Sequence, residues 1–235
     1  NKRVFYKSDK IIALCKSMAD ELEGLLGNNV RGKIAIIPNP LTITPTEGVY
    51  SPNTQRVVYV GRLYEQQKKV SRIIKALSLI KSEQFSLLII GDGPDKERLY
   101  RLAESLGVNE HIEWAGWQSN PWGYIKERGG VEALLLPSDY EGYPTVLVEA
   151  MANGIPCVAV DCPTGPSDII EDGVNGILIP LTSDEEIVER LREVLQGFLE
   201  GKLVFDEEKI KNSVVEHDPV VVVEKWIELI EKYKA

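Results

Sequence analysis

The sequence is poor in the residues that build disulfide and metal sites. It has three cysteines and two histidines in 235 residues. Cys15, Cys157 and Cys162 show no CxxC spacing, and so sparse and odd a set argues against a disulfide framework. Cys157 lies in the apolar stretch IPCVAV, which favours a buried free thiol and a reducing, cytosolic compartment. No HxxxH or similar spacing occurs, so we expect no metal site.

The sequence also lacks an excess of positive charge and long apolar runs. It carries 27 lysines and arginines against 36 acidic residues, a formal net charge of −9. That balance argues against a nucleic-acid binder, although it leaves room for a local basic pocket that holds phosphate. No apolar run approaches the about 18 residues of a membrane span, and no signal peptide is visible. Hydrophobic residues make up 43% of the chain, enough for a substantial core.

What the sequence does contain is a regular alternation of short apolar runs and helical patterns. Most of the runs are apolar at every position, as is typical of strands covered by helices on both faces. The alternation predicts βαβ units and an α/β fold with a doubly wound, mainly parallel, Rossmann-like sheet. Strands are predicted at 10–15, 33–39, 55–61, 85–91, 111–116, 131–138, 155–161 and 175–180. Helices are predicted between them at 17–26, 70–82, 94–106, 120–128, 144–153 and 183–200.

A proline-rich stretch divides the chain. Residues 38–54 carry four prolines and no clear periodicity, which indicates a linker or a meandering loop. Residues 1–37 are too short for a domain, so they are either the tail of a preceding α/β domain or an outrigger of the main one. Residues 55–181 have the pattern of a nearly complete doubly wound domain. A last helix follows at 216–235, with an N-cap signal at Asp218 and one apolar face that should pack on something. That face holds Val222, Trp226, Leu229 and Tyr233.

Cationic residues follow the predicted strand 55–61. Ligands bind at the carboxyl ends of strands in an open parallel sheet. Gly61 would let a ligand approach the backbone, while Arg62 and Lys68 supply a fork and a point charge suited to a diphosphate. For either cation by itself a solvated surface loop is the favoured explanation, but both together at a strand end shift the balance toward phosphate.

Two other strand ends are less specific. Trp117 and Gln118 follow strand 111–116, where a flat side chain and exposed backbone groups suit a nucleobase; the alternative is that Trp117 packs in the core or at its rim. The GDGP sequence at 91–94 is a strand-to-helix turn, and it is not a dinucleotide fingerprint.

The stretch EGYPTVLVE places Glu141 before a predicted helix and Glu149 inside it. Gly142 frees the backbone and Pro144 suits the first turn, so the amides of 142–146 can face an anion. Glu149 has apolar neighbours, and a charge there needs a partner. A carboxylate accepts two hydrogen bonds, which suits the vicinal hydroxyls of a ribose, and Glu141 would accept from sugar hydroxyls. The alternative for the two glutamates is a helix cap and a solvated helix face.

These pieces together resemble a known family. The GR…K pattern, GDGP, E-G-Y-P-x(4)-E, AMANGIPCVAVD and GVNGILIP are similar to family-four retaining glycosyltransferases of the GT-B fold, over essentially the whole chain. The stretch DCPTGPSDII further resembles bacterial galactosyl- and glucosyltransferases of lipopolysaccharide and capsule synthesis.

The resemblance implies a domain plan. Residues 55–215 would be the C-terminal, nucleotide-sugar-binding domain, and 38–54 the hinge. Residues 1–37 would be the tail of the N-terminal domain, and 216–235 a helix that crosses back onto it. The rest of the N-terminal domain, which supplies the acceptor site, is then expected outside this chain, so the chain alone should be inactive.

The resemblance also implies residue roles. Arg62 and Lys68 would hold the diphosphate, and Lys68 rather than Lys69 keeps the family spacing. Glu149 would bind the ribose, and the Gln118 backbone beside Trp117 would contact the base. The donor sugar would be bound by Glu141 and by the backbone of Gly142, Tyr143, Pro144 and Thr145.

The implied reaction is metal-independent, retaining transfer of a hexose from a UDP-sugar to a glycan or lipid-linked acceptor. No DxD-type motif stands at a strand end, and no cofactor is expected. The protein would be cytoplasmic, or peripheral at the inner membrane face. Two alternatives share the nucleotide site: a non-catalytic nucleotide-sugar-binding module and a GT-B sugar-nucleotide epimerase.

Overall fold

A computed structural model describes residues 2–80 and 85–232 of the chain. Within these residues the strands form two separate parallel sheets. The strands are β1 (Ile11–Ala13), β2 (Ile34–Ile36), β3 (Arg56–Val60), β4 (Ser86–Ile90), β5 (Ile112–Gly116), β6 (Ala133–Leu136), β7 (Cys157–Asp161) and β8 (Gly176–Pro180). The α-helices are α1 (Lys2–Lys7), α2 (Lys16–Leu26), α3 (Glu65–Lys68), α4 (Val70–Ser78), α5 (Lys96–Ser105), α6 (Pro121–Glu127), α7 (Thr145–Ala152), α8 (Pro166–Ile169), α9 (Asp184–Leu199), α10 (Glu207–Asn212) and α11 (Pro219–Glu231).

The larger sheet has the strand order β5-β4-β3-β6-β7-β8, with every neighbouring pair parallel. The chain builds outward from β3 to β5, then returns to the other side of β3 and builds outward again. Such a reversal opens a crevice between the carboxyl ends of the two central strands, here β3 and β6. The predicted doubly wound, Rossmann-like fold is therefore confirmed.

The core explains why these strands are apolar at nearly every position. In β3, Val57 and Tyr59 pack with α4, α5 and α9, whereas Val58 points to the opposite face and packs with α6 and α7. All four residues of β6 are buried. Strands covered by helices on both faces lose the alternation of polar and apolar residues, as the sequence pattern indicated.

The first part of the chain forms a small unit of its own. β1 pairs with β2 in register Ile11 to Ile34, and the pair belongs to a separate two-stranded sheet. The linker at 38–54 then runs along the main domain, where Val131 N donates to the Val49 carbonyl at 2.9 Å and Ser51 N donates to Val131 at 3.0 Å. The division of the chain into four segments stays a prediction.

The predicted elements are present, most of them with shorter bounds than predicted, although α2 begins one residue earlier, at Lys16. The helix expected at 70–82 ends at Ser78, and positions 81–82 lie outside the described residues, as does Tyr233. The helix expected at 94 begins at Lys96, because Pro94 is part of the preceding turn. Pro144 occupies the N-cap position of α7 rather than its first turn. The sequence did not predict α1, α3, α8 and α10, which are too short to show a helical period.

No helix in the described ranges has both the length and the apolar character needed to cross a membrane.

Candidate functional site

A lysine and a glutamate predicted from sequence meet in the crevice between β3 and β6. Lys68 ends α3, which follows β3, and Glu141 lies in the loop after β6. Lys68 Nζ lies 2.6 Å from Glu141 Oε1, and the two side chains are only 18% and 6% exposed. Removing one partner of a shielded ion pair leaves the other charge buried and unpaired, which is destabilising. Each of these two residues therefore needs the other, or a ligand group in its place.

Two backbone segments are joined side by side to make this contact. Asp139 N donates to the Gln67 carbonyl at 2.9 Å, and Gln67 Nε2 donates to the Tyr140 carbonyl at 3.1 Å. Lys69 adopts a left-handed conformation with φ of 49°, which ends α3 and allows α4 to begin at Val70. This conformation costs an L-residue about 1–2 kcal/mol, so the surrounding contacts hold it in place.

A second group of predicted residues lines one open cleft. Its volume is about 450 Å³, and it brings Gly61 and Arg62 together with Trp117 and Gln118. Arg62 is exposed and makes no ion pair within residues 2–80 and 85–232, so its charge is available to an anion. Trp117 is 72% exposed, which rules out the alternative of a core tryptophan. Gln118 Nε2 donates to the Ala115 carbonyl at 2.8 Å.

The floor of this cleft requires glycine. Gly91 has φ of 144°, and a β-carbon there would lie 1.8 Å from the Gly61 carbonyl oxygen. A β-carbon on Gly93 would lie 2.3 Å from the Leu63 carbonyl oxygen. The GDGP sequence is thus a strand-to-helix turn, as predicted, and its glycines permit the close approach of two backbones.

Glu149 lies apart from Glu141, in a separate cavity. This cavity of about 200 Å³ is lined by α7 and by the start of the linker, through Asn39, Pro40, Leu41, Thr42, Thr145, Val148 and Glu149. Burial raises the pKa of Glu149, and the nearby Trp122 indole N–H lowers it in part. Trp122 Nε1 is buried and has no hydrogen-bond partner by distance and angle among the described residues. Among the described residues no cation pairs with Glu149, and such a partly buried carboxylate fits a ligand that offers hydroxyl donors.

The turn at 142–145 is braced from several sides. The Tyr143 hydroxyl and His217 Nε2 share a hydrogen bond of 2.9 Å, and His217 Nδ1 lies 3.0 Å from the Asn39 carbonyl oxygen. The Thr164 hydroxyl donates to the Glu141 carbonyl. One predicted ligand-facing amide, that of Thr145, donates to the Tyr143 carbonyl at 2.9 Å and is therefore used within the turn. The sequence placed Thr164 at the same edge of the sheet without a role, and it did not indicate His217, which is 74 positions from Tyr143.

A polar contact joins the small N-terminal unit to the main domain. Ser17 N donates to Asp168 Oδ1 at 3.1 Å, and the Ser17 hydroxyl also donates to Asp168. Burial alone would raise the pKa of Asp168, but these hydrogen bonds bring it below its usual value. Asp168 thus caps the start of α2 from across the linker. The two residues are 151 positions apart, and no local pattern relates them.

The cysteines and acidic residues are the candidates for a thiol or metal site within residues 2–80 and 85–232. Cys15, Cys157 and Cys162 are free and buried, as expected for Cys157. Burial raises the pKa of Cys162 to about 11 and also raises that of Cys157. In the part of the chain that the structure describes, no three His, Cys, Asp or Glu side chains group in a way that could hold a metal ion.

The fold and this geometry define a class of protein: a doubly wound α/β domain whose switch-point crevice holds a lysine–glutamate pair, with an exposed arginine in the neighbouring cleft. The chain belongs to the group 1 glycosyl transferases, since that family model matches residues 48–202. The family expected from the sequence motifs is confirmed.

Two similar proteins are lipopolysaccharide 1,6-galactosyltransferases. That of Salmonella typhimurium is 39% identical over 171 residues, which are 70% of this chain and 46% of the relative. That of Escherichia coli is 34% identical over 203 residues, 86% of this chain and 53% of the relative. The chain therefore spans about half the length of these relatives.

Solved structures agree. The apo form of the lipopolysaccharide outer core galactosyltransferase WaaB superposes with a TM-score of 0.83 at 29% identity, covering 96% of this chain and 62% of that one. The pneumococcal O-GlcNAc transferase GtfA in complex with UDP and GlcNAc gives 0.76 at 22% identity, covering 96% and 45%, a likeness of fold alone. The GT-B type of fold expected from the sequence is confirmed.

Proposed function

We propose that this chain is the donor-binding domain of a hexosyltransferase that uses a UDP-sugar. The observation that carries the proposal is the shielded Lys68–Glu141 pair at the switch point, next to the cleft of Arg62 and Trp117. One cation there is exposed and the other is held by a carboxylate, so a diphosphate can recruit both. The two similar proteins are galactosyltransferases, which supports the transfer of a hexose.

The diphosphate is the leaving group in this proposal. Negative charge grows on it as the bond from the anomeric carbon breaks, and preorganised cations stabilise such charge most effectively. Arg62 supplies a guanidinium, and Lys68 exchanges part of its contact with Glu141 for a phosphate oxygen. Glu141 then accepts hydrogen bonds from the sugar hydroxyls. Because the two cations neutralise the charge, no metal ion and no cofactor are required.

The nucleoside is placed by the other predicted residues. The exposed face of Trp117 and the backbone of Gln118 contact the base, and Glu149 accepts hydrogen bonds from the ribose hydroxyls. The backbone of Gly142, Tyr143, Pro144 and Thr145 surrounds the sugar. Uracil is proposed as the base because a structural neighbour was solved with UDP.

The acceptor is proposed to be a glycan or a lipid-linked glycan, in keeping with the lipopolysaccharide relatives. Its hydroxyl enters on the face that the diphosphate leaves, through an oxocarbenium-like centre, so that the configuration is retained. The acceptor site would be supplied by the remainder of an N-terminal domain. Three unpaired cysteines support a reducing, cytoplasmic location, with the full-length protein free or peripheral at the inner membrane face.

Thermal shift against a nucleotide panel tests the proposal. The panel is UDP, GDP, ADP, UDP-galactose, UDP-glucose and UDP-N-acetylglucosamine. A ligand at about 100 times its Kd should stabilise the chain by roughly 2.7 kcal/mol. We expect this with the uridine nucleotides and not with ADP or GDP.

Adjacent lysines provide a matched control. Lys68→Met should abolish the shift, while Lys69→Met, which makes the same change in charge one position along the chain, should preserve it. Absence of a shift with every nucleotide at millimolar concentration would contradict the proposed function.

A further inference from the structure

Arg72 is a buried cation that the proposed chemistry does not use. It lies in α4 and is 3% exposed. Arg72 Nη1 donates to the Pro137 carbonyl at 2.8 Å, Nη2 lies 2.6 Å from Asp139 Oδ1, and Nε donates to Asp184 Oδ1 at 3.0 Å. Burying a charge costs desolvation free energy, which its hydrogen-bonding partners must offset. A buried arginine with three such partners is therefore expected to have a role.

We propose that Arg72 is a positioning residue for Glu141. By placing Glu141, Arg72 sets the preference of the site for a UDP-sugar over UDP. The inference deepens the proposed function and rests on it. Arg72 touches no ligand in this proposal, and acts through the loop after β6.

The contacts show how the loop is fixed. Arg72 holds the loop at Pro137 and again at Asp139, two residues before Glu141. Lys68 and Arg72 lie on one short segment, four positions apart. That segment therefore supplies both the cation for the diphosphate and the cation that places the glutamate facing it. The distance between Lys68 Nζ and Glu141 Oε1 follows from this common attachment.

The fork of an arginine is needed for this arrangement. Three nitrogen atoms of one planar group reach a carbonyl and two carboxylates in different directions. A lysine has a single ammonium at the end of a flexible stem and cannot maintain all three.

The two carboxylates that contact Arg72 belong to different elements of the fold. Their substitution therefore gives a matched pair of variants. Asp139 belongs to the loop that carries Glu141, whereas Asp184 opens α9 on the helical layer. Asp139 also contacts Lys69 at 3.2 Å, through a partly exposed pair. Asp139→Asn should therefore disturb ligand binding, and Asp184→Asn should lower stability without changing ligand preference.

The experiment is calorimetric titration of the whole chain with UDP and with UDP-galactose, well below the melting temperature of each variant. In Arg72→Lys and Asp139→Asn we expect the affinity for UDP-galactose to fall about tenfold while that for UDP changes less than about threefold, the size of effect that a misplaced contact produces. Asp184→Asn should leave both affinities unchanged. Arg72→Lys is used because Arg72→Met leaves two carboxylates without a cation and is less certain to fold.

The outcomes separate the two claims. Wild-type chain that binds UDP-galactose, with an unchanged ratio of the two affinities in Arg72→Lys and Asp139→Asn, overturns the role of Arg72 and leaves the proposed function standing. An equal loss in Asp139→Asn and Asp184→Asn assigns Arg72 a purely structural role and also overturns it. Wild-type chain that binds neither ligand overturns the proposed function and this inference with it.

Discussion

At the scale of single residues, the two glutamates of the EGYPTVLVE stretch have different surroundings. Glu141 is paired with Lys68, whereas Glu149 faces the linker with no cation beside it among the described residues. Two carboxylates on opposite sides of one turn can therefore hold different parts of one ligand. In the proposal Glu149 binds the ribose, which UDP and UDP-sugars share, and Glu141 binds the hexose.

These two assignments are tested by four affinities measured by calorimetry, those of two glutamate variants for UDP and for UDP-galactose. Glu149→Ala should weaken UDP and UDP-galactose by a similar amount, about 1.5–3 kcal/mol for hydrogen bonds to a charged group. Glu141→Ala should weaken UDP-galactose and spare UDP. Equal losses for the two ligands in Glu141→Ala would refute the division, and no loss in either variant would make both residues structural.

The burial of Glu149 links stability to pH. Its pKa in the folded chain is raised above 4.5 by burial, so folding favours the protonated form. The stabilising contribution is complete below the unfolded pKa and is lost as pH rises through the folded pKa. Glu149→Gln should therefore melt at a higher temperature than wild type at pH 7, and the difference should vanish toward pH 4. Calorimetric melting at both pH values checks this, with Glu185→Gln on the exposed start of α9 as the control. A variant that is less stable at pH 7 would contradict it.

The sequence predicted the positions of residues that directly follow the ends of strands. Gly61, Arg62, Trp117 and Gln118 were expected at one edge of the sheet, and the structure places all four in one cleft. It could not reach Arg72, whose partner Asp184 is 112 positions away. An arginine inside the apolar helical stretch VSRIIKAL was the available signal, since a buried guanidinium needs carboxylates to accept from it.

At the scale of elements, α11 leaves an apolar face exposed. Five of its residues are between 41% and 66% exposed, namely Val220, Val223, Trp226, Ile227 and Ile230. Of the face predicted from sequence, Val222 is buried at 2% and Trp226 is not. Contiguous apolar surface of this kind marks a contact site.

This face should make the isolated chain self-associate. Sedimentation velocity should show a mass that rises with concentration, because burying the face removes apolar area from water. The double variant Ile227→Glu, Ile230→Lys keeps the net charge and should be monomeric. Val204→Lys, at an exposed valine outside α11, should associate like wild type. A wild-type chain that stays monomeric at millimolar concentration would argue against a contact role for the face.

The elements that could be predicted are those with a regular apolar pattern. All six strands of the main sheet follow from it, as do the longer helices α4, α5, α6, α7 and α9. The short helix α3 does not follow from it, because α3 is only one turn long. The next residue, Lys69, adopts a left-handed conformation that glycine usually adopts. Tertiary contacts with Asp139 and Tyr140 select that conformation, and a local pattern contains no information about them.

At the scale of the whole molecule, an acidic chain is proposed to bind a polyanion. The net charge of −9 disfavours the approach of UDP, so binding must depend on the local field of Arg62 and Lys68. Since these cations neutralise the diphosphate directly, the affinity for UDP should be the same with Mg²⁺ and with EDTA. Titration in both buffers at equal ionic strength tests this, and a tenfold loss in EDTA would defeat metal independence.

The relation of this chain to its longer relatives carries one more expectation. The chain should bind the donor and transfer no sugar, because the acceptor site is proposed to lie in the rest of an N-terminal domain. Incubation with UDP-galactose and lipopolysaccharide core acceptors, followed by mass spectrometry, checks this. Transfer by the 235 residues alone would show that the domain assignment is wrong.

The strand order has a consequence for how the chain folds during synthesis. β3, β4 and β5 leave the ribosome in sequence and can pair at once, but the other edge of β3 waits for β6. Residues 61–132 separate the two strands, and at about 5–20 residues per second their synthesis takes roughly 4–14 s. For that interval Val57 and Val58 lie on an open, apolar strand edge, which is the kind of edge that recruits other chains. The crevice proposed to hold the ligand therefore begins as an unpaired, aggregation-prone strand edge of an incomplete sheet. That edge is covered only when β6 pairs with β3.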